Sequence, residues 1–315
     1  MKILSISGGG FQALYNVILL EQLEQLAGPV KDSFDLFCGT SAGAVVAAAA
    51  ARGIPMAELR VGFEKRGAEA FHRRSISGPR DLWRVFGRSR YMAAPLKMLV
   101  DEIAGKMTFA ELDAPLAVTA VRLRDGAPTV FSNENSPQVK LGDAVMASAA
   151  APTMFPAVSI NGELHADGAI VANAPDLLAL ELALRAGAKA EEVSMLSLGS
   201  MNACPPLGEP ADPDMGVLDW LRGNRIFRTM MGAQAEVTSR LMSSLLGERY
   251  TRIDADPGFP LRGDVALDRA DAKAVAAARM AASLSLSHKG LWTMSAETSC
   301  HPQKPVKDTT LAFKG

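Results

Sequence analysis

ILSISGGGFQALYNVILLEQLEQLAG occupies residues 3–28, and its first half supports two incompatible chemistries. The apolar run from Ile3 stops at three glycines, as a buried strand does. Leu19, Leu20, Leu23 and Leu26 then recur at helical spacing until Gly28-Pro29 ends the helix. Gly8, Gly10 and Ala13 spell G-x-G-x-x-A, the turn that cradles a dinucleotide pyrophosphate. The same amides at a helix start equally suit the oxyanion of an acyl-transfer intermediate.

The residues that follow separate the two. A dinucleotide fold needs an acid about 20 residues past the glycines, at the end of the second strand, to hold the ribose. The second strand is expected at FDLFCGT (34–40), and Asp32 and Asp35 both come before its LFCGT, at its start, which puts them at the wrong edge of a parallel sheet. What does follow that strand is Gly39-Thr40-Ser41-Ala42-Gly43, a G-x-S-x-G between a strand and the helix Ala42–Arg52. That setting is the one a nucleophile elbow requires, with glycines where a side chain would strike the neighbouring strand or helix. Ser41 then sits at a helix N-terminus, where a plain capping role is the competing explanation. Adjacent strand-to-helix turns share one sheet edge, so Gly8, Gly9 and Gly10 can supply oxyanion donors beside Ser41, with Gly39 and Gly43 shaping the elbow.

Further along, residues 56–112 read as mostly helical. Strands are expected at 114–123, 128–132, 193–199 and 250–254, a strand with its turn within 163–175, and helices at 142–151, 177–188, 217–247 and 266–286. The alternation predicts an α/β fold with a mostly parallel sheet. The expected organisation is one domain over 1–315: core motifs in roughly 1–200, a basic helical insert at 56–112, and a helical C-terminal part and tail at 203–315.

Composition narrows the function classes. A net charge of −1 over 315 residues excludes a protein devoted to nucleic acid, so no DNA partner is expected. Cys38, Cys204 and Cys300 form neither a C-x-x-C pair nor a metal-ligand cluster, and neither metal nor cofactor is expected. No secretory signal and no span of about 18 apolar residues is visible, which points to the cytoplasm. Nothing in the sequence decides the oligomeric state, and a homo-oligomer stays among the alternatives.

A nucleophilic serine needs a base. Of His72, His165, His288 and His301, the last two allow a Ser41–Asp167–histidine order, but neither has a strand-loop setting. The alternative base is Asp167 itself, in Asp167-Gly168-Ala169.

SGGGFQAL, GTSAG, ASAAAPTMFP (147–156), ADGAIVANAP (166–175) and LSLGS (196–200), in this order, resemble the patatin-like phospholipases across residues 1–200. The resemblance implies a three-layer α/β/α fold with a helical cap. It also implies a catalytic dyad of Ser41 and Asp167, a glycine-loop oxyanion hole, and a loop shaped by Asn173 and Pro175 as N-x-P. Gln12 and Ala13 depart from the family's G-G-G-x-R-G, which removes a fixed positive charge near the loop.

Between Lys65 and Lys97 lie nine basic residues and two acids, with Arg73, Arg74, Arg84 and Arg88 the candidates for a phospholipid headgroup or a phosphate-bearing activator; a solvated helical face is the alternative. Trp220, Leu221, Ile226, Phe227, Met230 and Met231 form a second apolar stretch, read either as a membrane-facing lid or as core. Within the family the chain looks most like bacterial effectors of cyclic-oligonucleotide anti-phage signalling. That likeness implies an enzyme of membrane phospholipid, peripherally membrane-bound when active and switched on by a cyclic oligonucleotide. An unregulated lysophospholipase or carboxylesterase, and a non-catalytic nucleotide-binding module, remain as alternatives.

Overall fold

The computed structural model describes residues 1–73, 88–201, 213–221, 225–255 and 266–286. Their strands form one sheet: β1 (Lys2–Ile6), β2 (Leu36–Thr40), β3 (Leu116–Arg122), β4 (Ala127–Ser132), β5 (Val158–Ile160), β6 (Glu163–Asp167), β7 (Ser194–Leu198) and β8 (Tyr250–Ile253), in the order β5-β6-β3-β2-β1-β7-β8 with β4 also on β3. The pairs β3-β2, β2-β1, β1-β7 and β7-β8 are parallel, as the strand–helix alternation predicts. The β4, β5 and β6 contacts are antiparallel, and β5 has no counterpart in the sequence expectations; at three residues it is too short for an alternation pattern.

The helices are α1 (Ala13–Ala27), α2 (Val30–Ser33), α3 (Ala42–Ala51), α4 (Met56–Ala70), α5 (Ala93–Ala104), α6 (Leu141–Ser148), α7 (Ala169–Ala172), α8 (Asp176–Arg185), α9 (Val217–Leu221), α10 (Arg225–Leu246) and α11 (Ala272–Leu286). Strand alternation sends Leu4 and Ile6 to the face covered by α1, α3, α4, α5, α6 and α11, and Ile3 to the face covered by α8 and the C-terminal end of α10. The result is helices on both sides of a sheet. The central helix α3, AGAVVAAAAA, is almost wholly buried, and its alanines let it lie close to β1 and β2. Of the stretch 56–112, expected to be mostly helical, the described residues form α4, α5 and a helical turn at Phe109–Glu111, while 74–87 lie outside the described residues. α4 and α5 are joined through an antiparallel bridge of Arg73 with Tyr91, where Phe71, Tyr91 and Phe155 cluster.

The register around β3 places the site. Phe37 to Thr40 of β2 pair with Leu116 to Thr119, and Asp167 to His165 of β6 pair with Ala120 to Arg122. β4 covers Ala117 to Arg122 and so takes the opposite edge of β3. β2 and β6 therefore lie end to end on one edge, running toward each other. Thr40 and Asp167, opposite Thr119 and Ala120, are the two ends that meet.

Candidate active site

Ser41 follows β2 in a sharp turn with φ 55° and ψ −129°, a strained backbone for a residue with a side chain. The turn closes because a Cβ on Gly39 would lie 2.5 Å from the Gly43 carbonyl, and one on Gly43 would strike the Ile6 and Ser7 carbonyls. The Ser41 amide donates to Ser148 Oγ at 2.7 Å, leaving the hydroxyl to point elsewhere. It donates to Asp167 Oδ2 at 2.7 Å. The other carboxylate oxygen accepts the Ala169 amide at 2.8 Å, so Asp167 is oriented from both sides. The carboxyl is 1% exposed. Burial pushes its pKa up to about 7, against the opposing hydrogen bonds from the Ala169 amide and the Ser41 hydroxyl.

The glycine loop sits beside this pair, and its three amides are not equivalent. The Gly8 amide is committed to the Asn173 carbonyl at 3.0 Å. The Gly8 carbonyl accepts from Ser200 Oγ. Among the described residues the Gly9 and Gly10 amides meet no acceptor, and both border the cavity described below. Of the three expected donors, Gly8 thus holds the loop in place while Gly9 and Gly10 stay available. Ala42 opens α3, where the first amides lack intrahelical acceptors. Asn173 anchors the arrangement twice through its backbone, since its amide also donates to Gln234 Oε1 at 3.2 Å. Its side-chain amide is buried against Gly8 with no hydrogen-bond partner among the described residues.

The competing assignments find no support here. Asp35 accepts the Lys2 amide at 2.7 Å, at the start of β1 and so at the opposite end of the strand from the glycines. His165 is buried in β6, its Nδ1 3.1 Å from the Glu163 carbonyl and its ring edge against Phe131. Neither His72 nor His165 bonds to Ser41 or Asp167; His288 and His301 lie outside the described residues. Among the described residues no cluster of three metal-ligating side chains occurs.

A cavity of about 410 Å³ opens from Gly9, Gly10, Ser41 and Asp167 and runs between α4 and α5. Its walls are mainly apolar, with Val45, Leu59, Phe63, Val100, Phe155 and Met231 prominent. Such a space suits a hydrocarbon chain better than a polar group.

The basic patch is weaker than its sequence suggests. Arg66 pairs with Glu69 and Glu102, Arg90 with Asp268, and Lys97 with Asp101. Glu102, Asp101 and Asp268 come from outside the basic run or its far end, so folding neutralises what a local count leaves positive. Arg73 and Arg88 are exposed; Arg74 and Arg84 lie outside the described residues. The second apolar stretch divides: Met231 is buried, Phe227 borders the cavity, and Ile226 and Met230 are exposed.

One network escaped sequence reading. Asp176 is fully buried and accepts from Ser5 Oγ at 2.5 Å, Ser197 Oγ at 2.8 Å and Tyr250 Oη at 2.7 Å. Arg252 on β8 donates to Asp254 Oδ2 at 3.1 Å and reaches Ser7 Oγ at 3.4 Å. The arginine absent from the glycine loop thus has a buried cation beside the residue that precedes the glycines, supplied from 245 residues away. No local motif marks it.

The patatin-like phospholipase model matches residues 4–180, which contain the glycine loop, the elbow and Asp167. A cGAMP-activated phospholipase of Pseudomonas aeruginosa is 32% identical over 277 residues, covering 85% of this chain and 82% of that protein. One of Vibrio cholerae is 27% identical over 310 residues, 87% of each. VipD from Legionella pneumophila superposes with a TM-score of 0.43 at 16% identity, over 95% of this chain and 74% of that one. On its family match and its relatives, the chain belongs to the patatin-like phospholipases and is a lipid acyl hydrolase.

Proposed function

We propose that Ser41 and Asp167 are the nucleophile and base of a phospholipid acyl hydrolase. The observation that carries this reading is the 2.7 Å Ser41–Asp167 hydrogen bond at the head of an apolar cavity. Ser41 Oγ attacks the ester carbonyl while its proton passes to Asp167 Oδ2. The oxyanion forms against the Gly9 and Gly10 amides, with Ala42 a third donor. Collapse expels the alcohol, which takes the proton back from Asp167. A water, deprotonated by the same carboxylate, then releases the fatty acid. A base tuned to about 7 suits this double duty near neutral pH.

The acyl chain lies in the cavity between α4 and α5. Gly62, exposed on α4, borders that cavity, and a Cβ there would meet open space beyond its own helix. Gly62→Leu adds apolar bulk at the cavity border, where the first added atom meets no neighbour, and replaces a poor helix former. The expected result is a fall of about tenfold in the kcat/KM ratio of long-chain to short-chain esters, measured on a chain-length series. An unchanged ratio places the acyl chain elsewhere.

The enzyme works on membrane phospholipid as a peripheral protein, under control of a cyclic dinucleotide. Support comes from the relatives, which are named as cGAMP-activated phospholipases. Contact with a phosphate, of headgroup or activator, falls to the exposed Arg73 and Arg88, with Arg74 and Arg84 beside them in sequence. The test is hydrolysis of fluorogenic phospholipid vesicles with and without a panel of cyclic dinucleotides. Activity that appears only with one nucleotide is expected. Equal activity without any would make the enzyme a constitutive lipase, and none under every condition would leave a binding module.

A further inference from the structure

α10 is apolar on two opposite faces. Met231, Ala235, Met242 and Leu246 are buried inward. Ile226, Met230, Ala233, Val237 and Leu241 form a second stripe facing outward, at i, i+4, i+7, i+11 and i+15. Val237 is 58% exposed. A helix that only covers the sheet needs one apolar face. The neighbouring helix α9, in contact with α10, exposes apolar residues as well: Leu218 is 81% exposed, and Val217 and Leu221 are exposed too. Among the described residues nothing covers this apolar surface.

Two observations indicate what does. Phe227 and Met231 border the catalytic cavity, and their chain neighbours Ile226 and Met230 begin the outward stripe, so the stripe lies on the helix that walls the cavity. The surface carries Asp219 on α9, Glu236 paired with Arg240, and, in the cavity-side half of α10 from Arg225 to Ala235, Arg225 and Arg228 with no acid. An apolar face with cations alongside is the composition of a helix lying in the headgroup region of an anionic bilayer. α10 is also tied to the site: Gln234 Nε2 donates to the Ile170 carbonyl at 2.7 Å, in the turn after Asp167, while its Oε1 accepts the Asn173 amide.

We infer that the outward faces of α9 and α10 are the surface by which this enzyme seats on an anionic phospholipid bilayer, holding the cavity mouth against it. The inference rests on the proposed site for the position of that mouth. The test is a variant of the full chain carrying Leu218→Gln, Met230→Gln, Val237→Gln and Leu241→Gln, which removes apolar surface and adds no charge. Two readouts are compared: co-sedimentation with phosphatidylcholine–phosphatidylglycerol vesicles, and hydrolysis of a monomeric short-chain 4-nitrophenyl ester. Vesicle partition is expected to fall about tenfold or more. The rate on the monomeric ester should stay within about twofold of the parent. Arg225→Gln and Arg228→Gln should each weaken partition about fivefold at low salt, and not on neutral vesicles. Unchanged partition of the fourfold variant overturns the inference. So does a change from dimer to monomer with partition intact, which makes the stripe a contact between copies. A thermal midpoint lowered by about 5 °C or more also overturns it, since the stripe is then packed within the fold. Failure of the proposed site is a separate result, the parent being inert on the monomeric ester while still binding vesicles.

Discussion

Ser41→Ala abolishes ester hydrolysis, by about 10⁴-fold or more, and leaves the fold intact. The hydroxyl makes one hydrogen bond, to Asp167, while the bond that fixes the elbow uses the Ser41 amide and survives the change. Asp167→Asn keeps the shape and can still accept the Ala169 amide, but it cannot take a proton; the expected loss is about 10²–10⁴-fold. Because the two groups act in one step, the double variant should be no worse than Ser41→Ala alone. His288→Ala and His301→Ala should each stay within about twofold of the parent. The measurement is initial rate on a fluorogenic ester, with circular dichroism to verify folding. Retention of a tenth of the activity in Ser41→Ala, or its loss in either histidine variant, removes the dyad.

The pH dependence comes from the same carboxyl. Asp167 must be ionised to act as base, and burial has raised its pKa to about 7. Hence kcat/KM should approach a tenfold fall per unit below that value, about fiftyfold between pH 7 and 5. Stability runs the other way. A carboxyl whose folded pKa lies above its unfolded one favours the fold most when protonated. Its contribution is complete below the unfolded value near 4 and is lost as pH rises through about 7. The ionised carboxylate, 1% exposed, then costs on the order of a few kcal/mol. Asp167→Asn should therefore raise the thermal midpoint at pH 8 by about 5 °C or more, and by much less at pH 5. Melting curves at the two pH values decide it. An equal shift at both, or a parent profile flat down to pH 5, shows a carboxyl that titrates normally.

Both predictions concern a pair whose members could be named before any coordinates, for unequal reasons. The elbow is a local object. Gly39, Ser41 and Gly43 are adjacent, and the glycines are needed because backbone atoms of Ala44, Ile6 and Ser7 come so close. Asp167 has no such local requirement, since an Asp-Gly pair is usually a turn. Only the likeness to a family singled it out. What brings it to Ser41 is antiparallel pairing of β6 on the same edge of β3 as β2, along the stretch that β2 leaves free, a contact across 126 residues.

The order of strands, turns and helices, the parallel centre of the sheet and the glycine cradle were thus determined by the sequence itself. Each depends on residues within a few positions of one another, where spacing and backbone freedom act directly. Tertiary structure alone decided that Gly8 anchors the loop while Gly9 and Gly10 keep free amides, that Arg252 lies beneath Ser7, and that half the described basic run is ion-paired. It also decided that α10 turns a second apolar face outward. Hydrogen-bond commitment, charge pairing and exposure are properties of what comes to lie across from a residue. Nothing in a residue's own neighbourhood along the chain encodes its partner on a distant strand or helix.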